Sequence, residues 1–349
     1  MVAAGGGGDA IAAAVLANAV PGTNAVGIAT MAWDRLIVDP LPGPRAAADF
    51  TSLDVRGGYF FVTPDTRPLP PAGSTLPRLA AELPLPLVLL DPSAGAVGLC
   101  RQLAAAAEGL GADALRLVDV GGDILGRPGD EGLHSPFADA LMAASCISSP
   151  TRVWIAGPGL DGELSPELVV ERIGHGPPLL TLSADAWQAF LPILEWHPSE
   201  ASALLAAASV GLRGRVEIRD AGLPVELNDA SAGVYELPLK VVASTNPLVS
   251  ALANSTSFVE AERDARKVLG WTELDEERAK AGRMKQWPHA EPADLEAALA
   301  KWEADARGRG VRYVTFRHLA EVLGWPQVPA LRRALHVTSR RDPNLLWPL

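Results

Sequence analysis

Four consecutive glycines and an acid form the first motif with clear chemical potential: Gly5, Gly6, Gly7, Gly8 and Asp9. A short apolar segment of strand character precedes them, and an apolar run of helix length follows from Ala10 to Val20. Glycines leave backbone N–H groups unobstructed, and a helix that begins here would direct the positive end of its dipole toward an anion. The motif therefore predicts a turn that binds an anionic ligand.

Glycines and acids also mark the ends of later segments of strand character. They are Asp34 after the second segment, Asp91 after the fourth, Asp119, Gly121, Gly122 and Asp123 at the end of the fifth, and Gly157 and Gly159 after the sixth. In a doubly wound sheet, ligands bind beyond the carboxyl ends of the strands, so we expect these residues to share one edge. Backbone N–H groups at that edge could hold a phosphate, while carboxylates hold a hard cation or act as bases.

Within this set, we predict that Asp9, Asp91 and Asp123 are catalytic, and that Asp9 and Asp123 also bind Mg²⁺. The glycines, Asp34 and Asp119 are predicted to bind the ligand, together with Arg45, which ends a turn-rich segment. Any one of these aspartates could instead cap a helix, and Arg45 could be an exposed residue of a connector. Glycine pairs beside the acids favour the ligand site, because they permit close approach of a ligand.

Common enzyme motifs are absent from the sequence. The glycine run lacks the Lys and hydroxyl residues of a P-loop, and Ala10 replaces the third glycine of a dinucleotide-binding fingerprint that starts at Gly5. No serine elbow is found, and no histidines lie at zinc-ligand spacing. His134 is the one histidine that we considered as an acid–base group, against a surface or capping role. The spacing therefore disfavours serine hydrolases, zinc enzymes and Walker-type kinases.

Charge is distributed unevenly along the 349 residues. The net charge of −11 argues against a general binder of nucleic acid or anionic membranes. The tail from Arg307 to Arg341, however, has eight arginines and one acid, Glu321. These arginines could dock a nucleic acid such as tRNA, or could pair with the acidic body or with another subunit of a homo-oligomer. No Lys or Arg precedes the N-terminal apolar run, which is also too short to cross a bilayer, so we expect a cytoplasmic protein without membrane attachment.

Apolar segments of strand length alternate with Ala- and Leu-rich segments of helix length over the first two hundred residues. This pattern predicts an α/β fold with a doubly wound, mainly parallel, Rossmann-like sheet. Two extended pieces, at 215–218 and 234–242, are expected to be the last strands of the sheet or an edge hairpin. After Asn246 the sequence has a helical character. We therefore predict a ligand-binding domain over 1–245 and a helical, Arg-rich C-terminal appendage over 246–349.

Three segments together resemble an uncharacterised protein family, domain of unknown function 1152, which is found in archaea and actinobacteria. They are Gly5–Asp9, the block from Trp33 to Pro44, and Asp119–Asp123. The resemblance covers about the first two thirds of the chain and implies a Rossmann-like domain with no assigned activity. It assigns no catalytic residues, and the Arg-rich tail could be a lineage-specific addition.

These features favour an intracellular enzyme of small-molecule metabolism, of transferase or ligase type, whose ligand is anionic or phosphate-bearing, such as a nucleotide with Mg²⁺. A second hypothesis is a transferase or regulator that docks tRNA or another nucleic acid on the basic tail. A third is a non-catalytic ligand sensor. Steep salt dependence of binding would favour the second hypothesis, and full ligand affinity without Asp9 and Asp123 would favour the third.

Overall fold

The computed structural model of the protein describes residues 1–219, 222–284, 294–325, 327–338 and 345–349. Its fold is mixed α/β. The strands of this part of the chain are β1 (Val2–Ala3), β2 (Ile28–Met31), β3 (Phe50–Thr51), β4 (Asp54–Arg56), β5 (Tyr59–Val62), β6 (Arg67–Pro68), β7 (Leu87–Leu90), β8 (Leu115–Val120), β9 (Thr151–Ala156), β10 (Leu180–Thr181), β11 (Gly214–Glu217), β12 (Val225–Leu227), β13 (Gly233–Pro238), β14 (Tyr313–Thr315) and β15 (Leu346–Pro348).

The α-helices of the same described ranges lie between and after these strands. They are α1 (Gly7–Ala19), α2 (Leu76–Glu82), α3 (Gly95–Leu110), α4 (Pro136–Ser145), α5 (Pro166–Ile173), α6 (Leu191–Leu194), α7 (Glu200–Ser209), α8 (Leu239–Thr245), α9 (Pro247–Leu252), α10 (Phe258–Leu269), α11 (Glu273–Met284), α12 (Leu295–Gly308), α13 (Phe316–Val322) and α14 (Val328–Thr338). No helix of the described residues combines the length and the apolar character needed to cross a membrane.

A large sheet with the strand order β10-β13-β9-β8-β1-β2-β7-β5-β4 forms the centre of the fold. Its five middle strands, from β9 to β7, are parallel, and the two strands at each end are antiparallel to their neighbours. The middle strands are mostly apolar because helices cover both of their faces. The predicted α/β class and the mainly parallel sheet are thus confirmed.

Side chains of the middle strands alternate between two hydrophobic cores. Ala3 and Val118 face the core that α1 and α7 cover, while Val2 and Leu117 face the core that α3, α4, α9 and α10 cover. Because side chains alternate along a strand, Asp119 lies on the same face as Leu117, toward α4. The pairing of Val2 with Leu117 and of Ala3 with Val118 aligns the ends of β1 and β8. This register brings the residues that follow the two strands to one edge.

The second half of the chain departs from the predicted helical pattern. β14 and β15 join β11 and β12 in a separate sheet with the order β12-β11-β14-β15, so this half is mixed in structure. Of the two extended pieces that we predicted near residue 215 and residue 234, only the latter, β13, enters the large sheet, and α8 begins at Leu239. The pairing of Val216 with Tyr313 explains the difference, since a contact between segments so far apart leaves no local sequence pattern.

Helices that follow residue 246 divide between two cores. Leu248 and Val249 of α9 and Ala261 of α10 are fully buried against α3 and α4. A separate core further along the chain contains Leu319 and Trp347. The predicted division of the chain at residue 245 stays a prediction.

Candidate carboxylate site

Three carboxylates from three elements converge at the carboxyl edge of the parallel strands. They are Asp9 in the first turn of α1, Asp119 in β8 and Asp139 in α4, and we call them the carboxylate cluster. One oxygen atom from each lies within 4.8 Å of the oxygen atoms from the other two. Asp119 and Asp139 are only 1% and 4% exposed. Carboxylate oxygens are suitable ligands for hard cations such as Mg²⁺ or Ca²⁺.

Two oxygen atoms of the cluster are buried without a hydrogen-bond donor. They are Asp119 Oδ2 and Asp139 Oδ1. No Lys, Arg or His of the described ranges forms an ion pair with Asp9, Asp119 or Asp139. Buried acceptors normally have a partner, because an unpaired polar group inside a protein is unfavourable and an unpaired charge far more so. The cluster therefore has the properties of a site for an external cation.

Gly5 shapes the opening of the cluster. Its backbone N–H donates a hydrogen bond of 2.8 Å to Asp9 Oδ2. A Cβ atom at this position would lie 3.1 Å from Asp9 Oδ2 and 3.4 Å from Asp139 Oδ1. Gly5 is exposed while its neighbours on both sides are buried, so the cluster is reached from solvent at this residue. The absence of a side chain at Gly5 therefore leaves room for the carboxylates of Asp9 and Asp139 beside the backbone.

More acids surround the cluster, and several are held by protein donors. Glu163 accepts the N–H groups of His134 and Ser135, and Glu273 accepts those of Phe137 and Ala138 at the start of α4. Glu277 of α11 accepts the indole N–H of Trp33 and the N–H of Gly43. Three glutamates thus fix the loops around the cluster.

Burial and mutual repulsion shift the acid–base behaviour of this edge. Burial raises the pKa of Asp9 to about 7, against the opposing effects of the Gly5 N–H and the Arg35 charge. Burial, and then the charge of neighbouring acids, raises the pKa values of Asp119, Asp123 and Asp139 well above the ordinary range. Burial also raises the pKa of Asp161 to about 8. Without a cation, these groups cannot all ionise at neutral pH.

Glycines at the start of α1 allow close packing against three surrounding segments. Gly6 has φ of +109°, and a Cβ atom there would lie 3.1 Å from the carbonyl oxygen of Trp33. A Cβ atom on Gly7 would lie 2.9 Å from Thr75 Oγ1, and one on Gly8 would lie 2.5 Å from Ser199 Oγ. The N–H groups of Gly6 to Gly8 donate to no acceptor among the described residues. These N–H groups are available to an acceptor, and their predicted binding of an anion stays a prediction.

His197 supplies a buried donor beside these amides. No sequence motif singles out this histidine. Its Nδ1 accepts the N–H of Ser199 at 3.2 Å, which places the proton of the neutral ring on Nε2. Burial, and then the charge of Arg317, lowers the pKa of His197 to about 3, so the ring is neutral. Nε2 has no acceptor, and it lies 3.5 Å from the Cβ position of Gly7.

Gly121, Gly122, Gly157 and Gly159 form the adjoining loops at the same edge. Gly121 has φ of +121°, and a side chain there would collide with the carboxylate of Asp161. The N–H of Gly159 donates to the carbonyl oxygen of Gly121 at 2.7 Å, and the N–H of Gly157 donates to that of Gly233. A Cβ atom on Gly122 would overlap Val169. These glycines hold the loops after β8 and β9 together, and their predicted contact with a ligand stays a prediction.

Asp34, Asp91 and Arg45 are engaged by their own loops. Asp34 accepts hydrogen bonds from Ser74 and from the N–H and hydroxyl of Thr75. Asp91 accepts the N–H groups of Ser93 and Ala47. Arg45 donates to three carbonyl oxygens, of Leu41, Pro42 and Gly43, and forms an ion pair of 2.9 Å with Asp39. Their predicted ligand and catalytic roles stay predictions, but their hydrogen bonds match the capping and loop alternatives.

The carboxylate cluster differs in membership from the predicted Mg²⁺ pair. Asp123 is 5% exposed and close enough to affect the pKa of Asp119. The three oxygen atoms that lie within 4.8 Å of one another, however, belong to Asp9, Asp119 and Asp139. Sequence reasoning missed Asp139 because it lies inside a helix rather than after a strand. The sequence feature that could have indicated Asp139 is its position as the single acid in the apolar run 137–141.

Most of the tail arginines with described side chains contact the protein itself. Arg307 pairs with Glu303, and Arg309 pairs with Glu217 and Asp305. Arg317 and Arg332 are 6% and 7% exposed. Arg333 is exposed, and Arg340 and Arg341 lie outside the described residues. The alternative in which the tail pairs with the acidic body accounts for these contacts, and docking of tRNA stays a prediction.

Residues 1–281 match the family model described as a protein of unknown function (DUF1152). No curated protein and no solved structure matches the chain. The matched range ends beyond Glu273 and Glu277, so it includes the whole set of acids at the carboxyl edge. Since the match covers well over half of the 349 residues, the chain belongs to the DUF1152 family.

Proposed function

We propose that the protein is a divalent-cation-dependent enzyme that acts on an anionic, phosphate-bearing ligand at the carboxyl edge of a Rossmann-like sheet. The observation that carries this proposal is the carboxylate cluster, with oxygens of Asp9, Asp119 and Asp139 within 4.8 Å of one another. Mg²⁺ is the cation that best combines carboxylates with phosphate oxygens. A nucleotide is one ligand of this class, and a transferase or ligase reaction suits it.

The neighbouring acids would supply proton transfer. Asp123 and Asp161 lie outside the cluster, and burial raises the pKa of Asp161 to about 8 and that of Asp123 well above its ordinary range. An acid whose pKa is close to the working pH is an effective general acid or base. Asp123 therefore keeps its predicted catalytic role, and Asp161 joins it as a second candidate. Gly5 leaves the approach open for the reacting group.

Two observations separate this proposal from the other functions. A sensor that only binds an anion would need the free amides of α1 but not three converging carboxylates. The tRNA-docking hypothesis has less support, because the exposed Arg307 and Arg309 already pair with acids of this chain. The enzyme hypothesis uses both the amides and the carboxylates.

A thermal-shift experiment tests the proposal. Wild-type protein is heated with ATP, GTP, NAD or pyrophosphate, each with Mg²⁺ and with EDTA, because a ligand that binds only the folded state raises the apparent melting temperature. We expect at least one ligand to raise it only with Mg²⁺, and Asp139→Asn to abolish the rise. Asp113→Asn, at an exposed acid outside the cluster, is the matched control. A rise that is equal in EDTA or in Asp139→Asn would reject the cation site.

A further inference from the structure

Three kinds of hydrogen-bond donor lie near the N-terminal end of α1, next to the carboxylate cluster. The first is the set of free backbone N–H groups of Gly6 to Gly8. The second is His197 Nε2–H, in a side chain that is only 6% exposed and has no acceptor. The third is Arg35, an exposed cation of the loop that follows β2. Buried donors without an acceptor, next to the first turn of a helix, are groups that an anion can bind.

The loop after β2 holds Arg35 at this position. The carbonyl oxygen of Trp33 packs against Gly6, and Asp34 binds Thr75, whose hydroxyl packs against Gly7. The Trp33 ring is itself fixed by Glu277 and by edge contacts of 6.0 Å with Phe137 and Phe258. Arg35 is thus anchored through both preceding residues to the first turn of α1.

The Arg35 guanidinium has no acidic partner within salt-bridge range among the described residues. Its charge nevertheless acts on both sides of the site, since it lowers the pKa of Asp9 and of Arg317. Against the opposing effect of burial, the charges of Glu277, Glu163 and Glu273 act on Arg35 in turn and raise its pKa. Because no carboxylate of the described residues lies within ion-pair distance, the Arg35 guanidinium can bind a ligand, and its fork of donors matches the oxygens of a phosphate.

We propose that the N-terminal end of α1, His197 and Arg35 form a phosphate subsite, and that the ligand carries at least two linked phosphates. One phosphate would coordinate the cation held by the carboxylate cluster, and the next would bind this subsite. Gly5 borders the cluster and Gly7 borders His197, and two residues span at most about 7 Å. A diphosphate group bridges such a separation, whereas a single phosphate does not. The inference rests on the proposed function, because it places the second phosphate next to the proposed cation.

The test titrates inorganic pyrophosphate and orthophosphate into the full-length protein by calorimetry, with Mn²⁺ in place of Mg²⁺. We expect pyrophosphate to bind more tightly than orthophosphate. Arg35→Ala should weaken pyrophosphate binding about ten- to hundredfold, as loss of a charge-assisted hydrogen bond does. Arg35→Lys should retain part of the affinity, and Arg263→Ala, at an exposed arginine of α10, should bind like wild type.

His197 is tested with a pair of variants. His197→Gln keeps an N–H donor near the position of Nε2 and should retain pyrophosphate binding, whereas His197→Leu removes the donor and should weaken it about tenfold. Because His197 is buried, circular dichroism and a thermal melt show whether each variant folds. Arg35 is exposed, so Arg35→Ala tests the subsite even if both His197 variants unfold.

The outcomes distinguish the subsite from the proposed function. Equal pyrophosphate affinity in wild type and Arg35→Ala, with Mn²⁺ binding intact, would overturn the subsite and leave the cation site standing. No Mn²⁺ binding, with pyrophosphate binding in EDTA that still depends on Arg35, would reject the cation site and keep the subsite. Arg35→Ala should bind Mn²⁺ alone at least as tightly as wild type, because it removes a positive charge beside the carboxylates.

Discussion

Buried charges occur in two regions of this protein, and they are balanced in opposite ways. In the carboxylate cluster, acids lie beside acids and none forms an ion pair with a described cation. In the second region, which we call the arginine seam, Arg317 lies 3.9 Å from Glu200 and Arg332 packs over Phe316 at 3.6 Å. The seam borders a cavity of about 20 Å³, which is enough for about one water molecule. The seam places a buried cation beside an acid of the same chain, whereas we propose that the cluster binds an ion from outside the chain.

The difference teaches how to separate structural charges from functional ones. Removing one partner of a buried ion pair leaves the other uncompensated, so such pairs matter chiefly to stability. A buried group of like charges destabilises the folded protein and is retained where a ligand neutralises it. We therefore expect substitutions in the seam to lower stability, and substitutions in the cluster to raise stability while abolishing cation binding.

The largest expected effect is in the seam. Arg317→Ala should lower the free energy of unfolding by about 3 to 5 kcal/mol, because it removes the buried cation next to Glu200. Urea denaturation measures the change. The exposed Arg333 provides the matched control, and Arg333→Ala should change the free energy by less than about 0.5 kcal/mol. Equal stability of the two variants would mean that Arg317 is not held in place by its surroundings.

The cluster should make the cation-free protein less stable as pH rises. The pKa of Asp9, a member of the cluster, is raised from 3.8 to about 7, chiefly by burial. Between these values the folded state binds more protons than the unfolded state, so the free energy of unfolding falls with increasing pH. We expect a fall of about 2 to 4 kcal/mol from pH 4 to pH 8 in EDTA.

Urea denaturation at several pH values measures this fall, and saturating Mg²⁺ is the internal control. The cation stabilises the ionised carboxylates, so it should flatten the dependence at pH 7 and above. A free energy that rises toward pH 8 in EDTA would show that the carboxylates are already balanced within the protein, and would remove the contrast with the seam.

A smaller effect of the opposite sign should follow from Asp139→Asn. At pH 8 in EDTA, the amide removes a buried negative charge from beside Asp119 and Asp9, so the variant should be about 1 to 2 kcal/mol more stable than wild type. With Mg²⁺ present, the order should reverse. Chemical denaturation under both conditions makes the comparison. Destabilisation in EDTA would indicate that the Asp139 carboxylate is a structural hydrogen-bond acceptor.

The smallest expected effect concerns the tail. Arg309 pairs with Glu217 and Asp305 at the surface, so Arg309→Ala should change the free energy of unfolding by less than about 1 kcal/mol. Fluorescence anisotropy with labelled tRNA should show weak binding that Arg309→Ala leaves unchanged. Tight binding that falls steeply between about 50 and 200 mM salt, and falls further in the variant, would instead favour a nucleic-acid interface.

Sequence reasoning located the edge but not all of its chemistry. The glycine run is recognisable because it follows an apolar strand, and Asp119 because it lies at the end of one, and a parallel sheet brings such ends together. Asp139 is on a helix that packs on the same face, so its position depends on packing contacts that no short motif records. The same limit applies to His197, which reaches Gly7 from a loop far along the chain.

In the C-terminal half, the sequence was also insufficient to predict which segments pair as strands. β14 is three residues long, and it pairs with β11 almost one hundred residues earlier. Its local sequence, between Arg312 and Phe316, is compatible with the helix that follows it. Tertiary pairing outweighs local propensity in such short strands. The helices predicted in this region were easier to recognise, since apolar periodicity over several turns is a local property.

Calorimetric titration of Mn²⁺ into the metal-free protein at pH 8 tests the central claim most directly, with wild type compared with Asp139→Asn and with the exposed-acid control Asp113→Asn. We predict saturable binding with release of protons in wild type and the control, because carboxylates of raised pKa must ionise to hold the cation. Asp139→Asn should bind at least about a hundredfold more weakly. Absence of binding in wild type, or equal affinity in wild type and Asp139→Asn, would contradict the claim that the carboxylate cluster is a cation site.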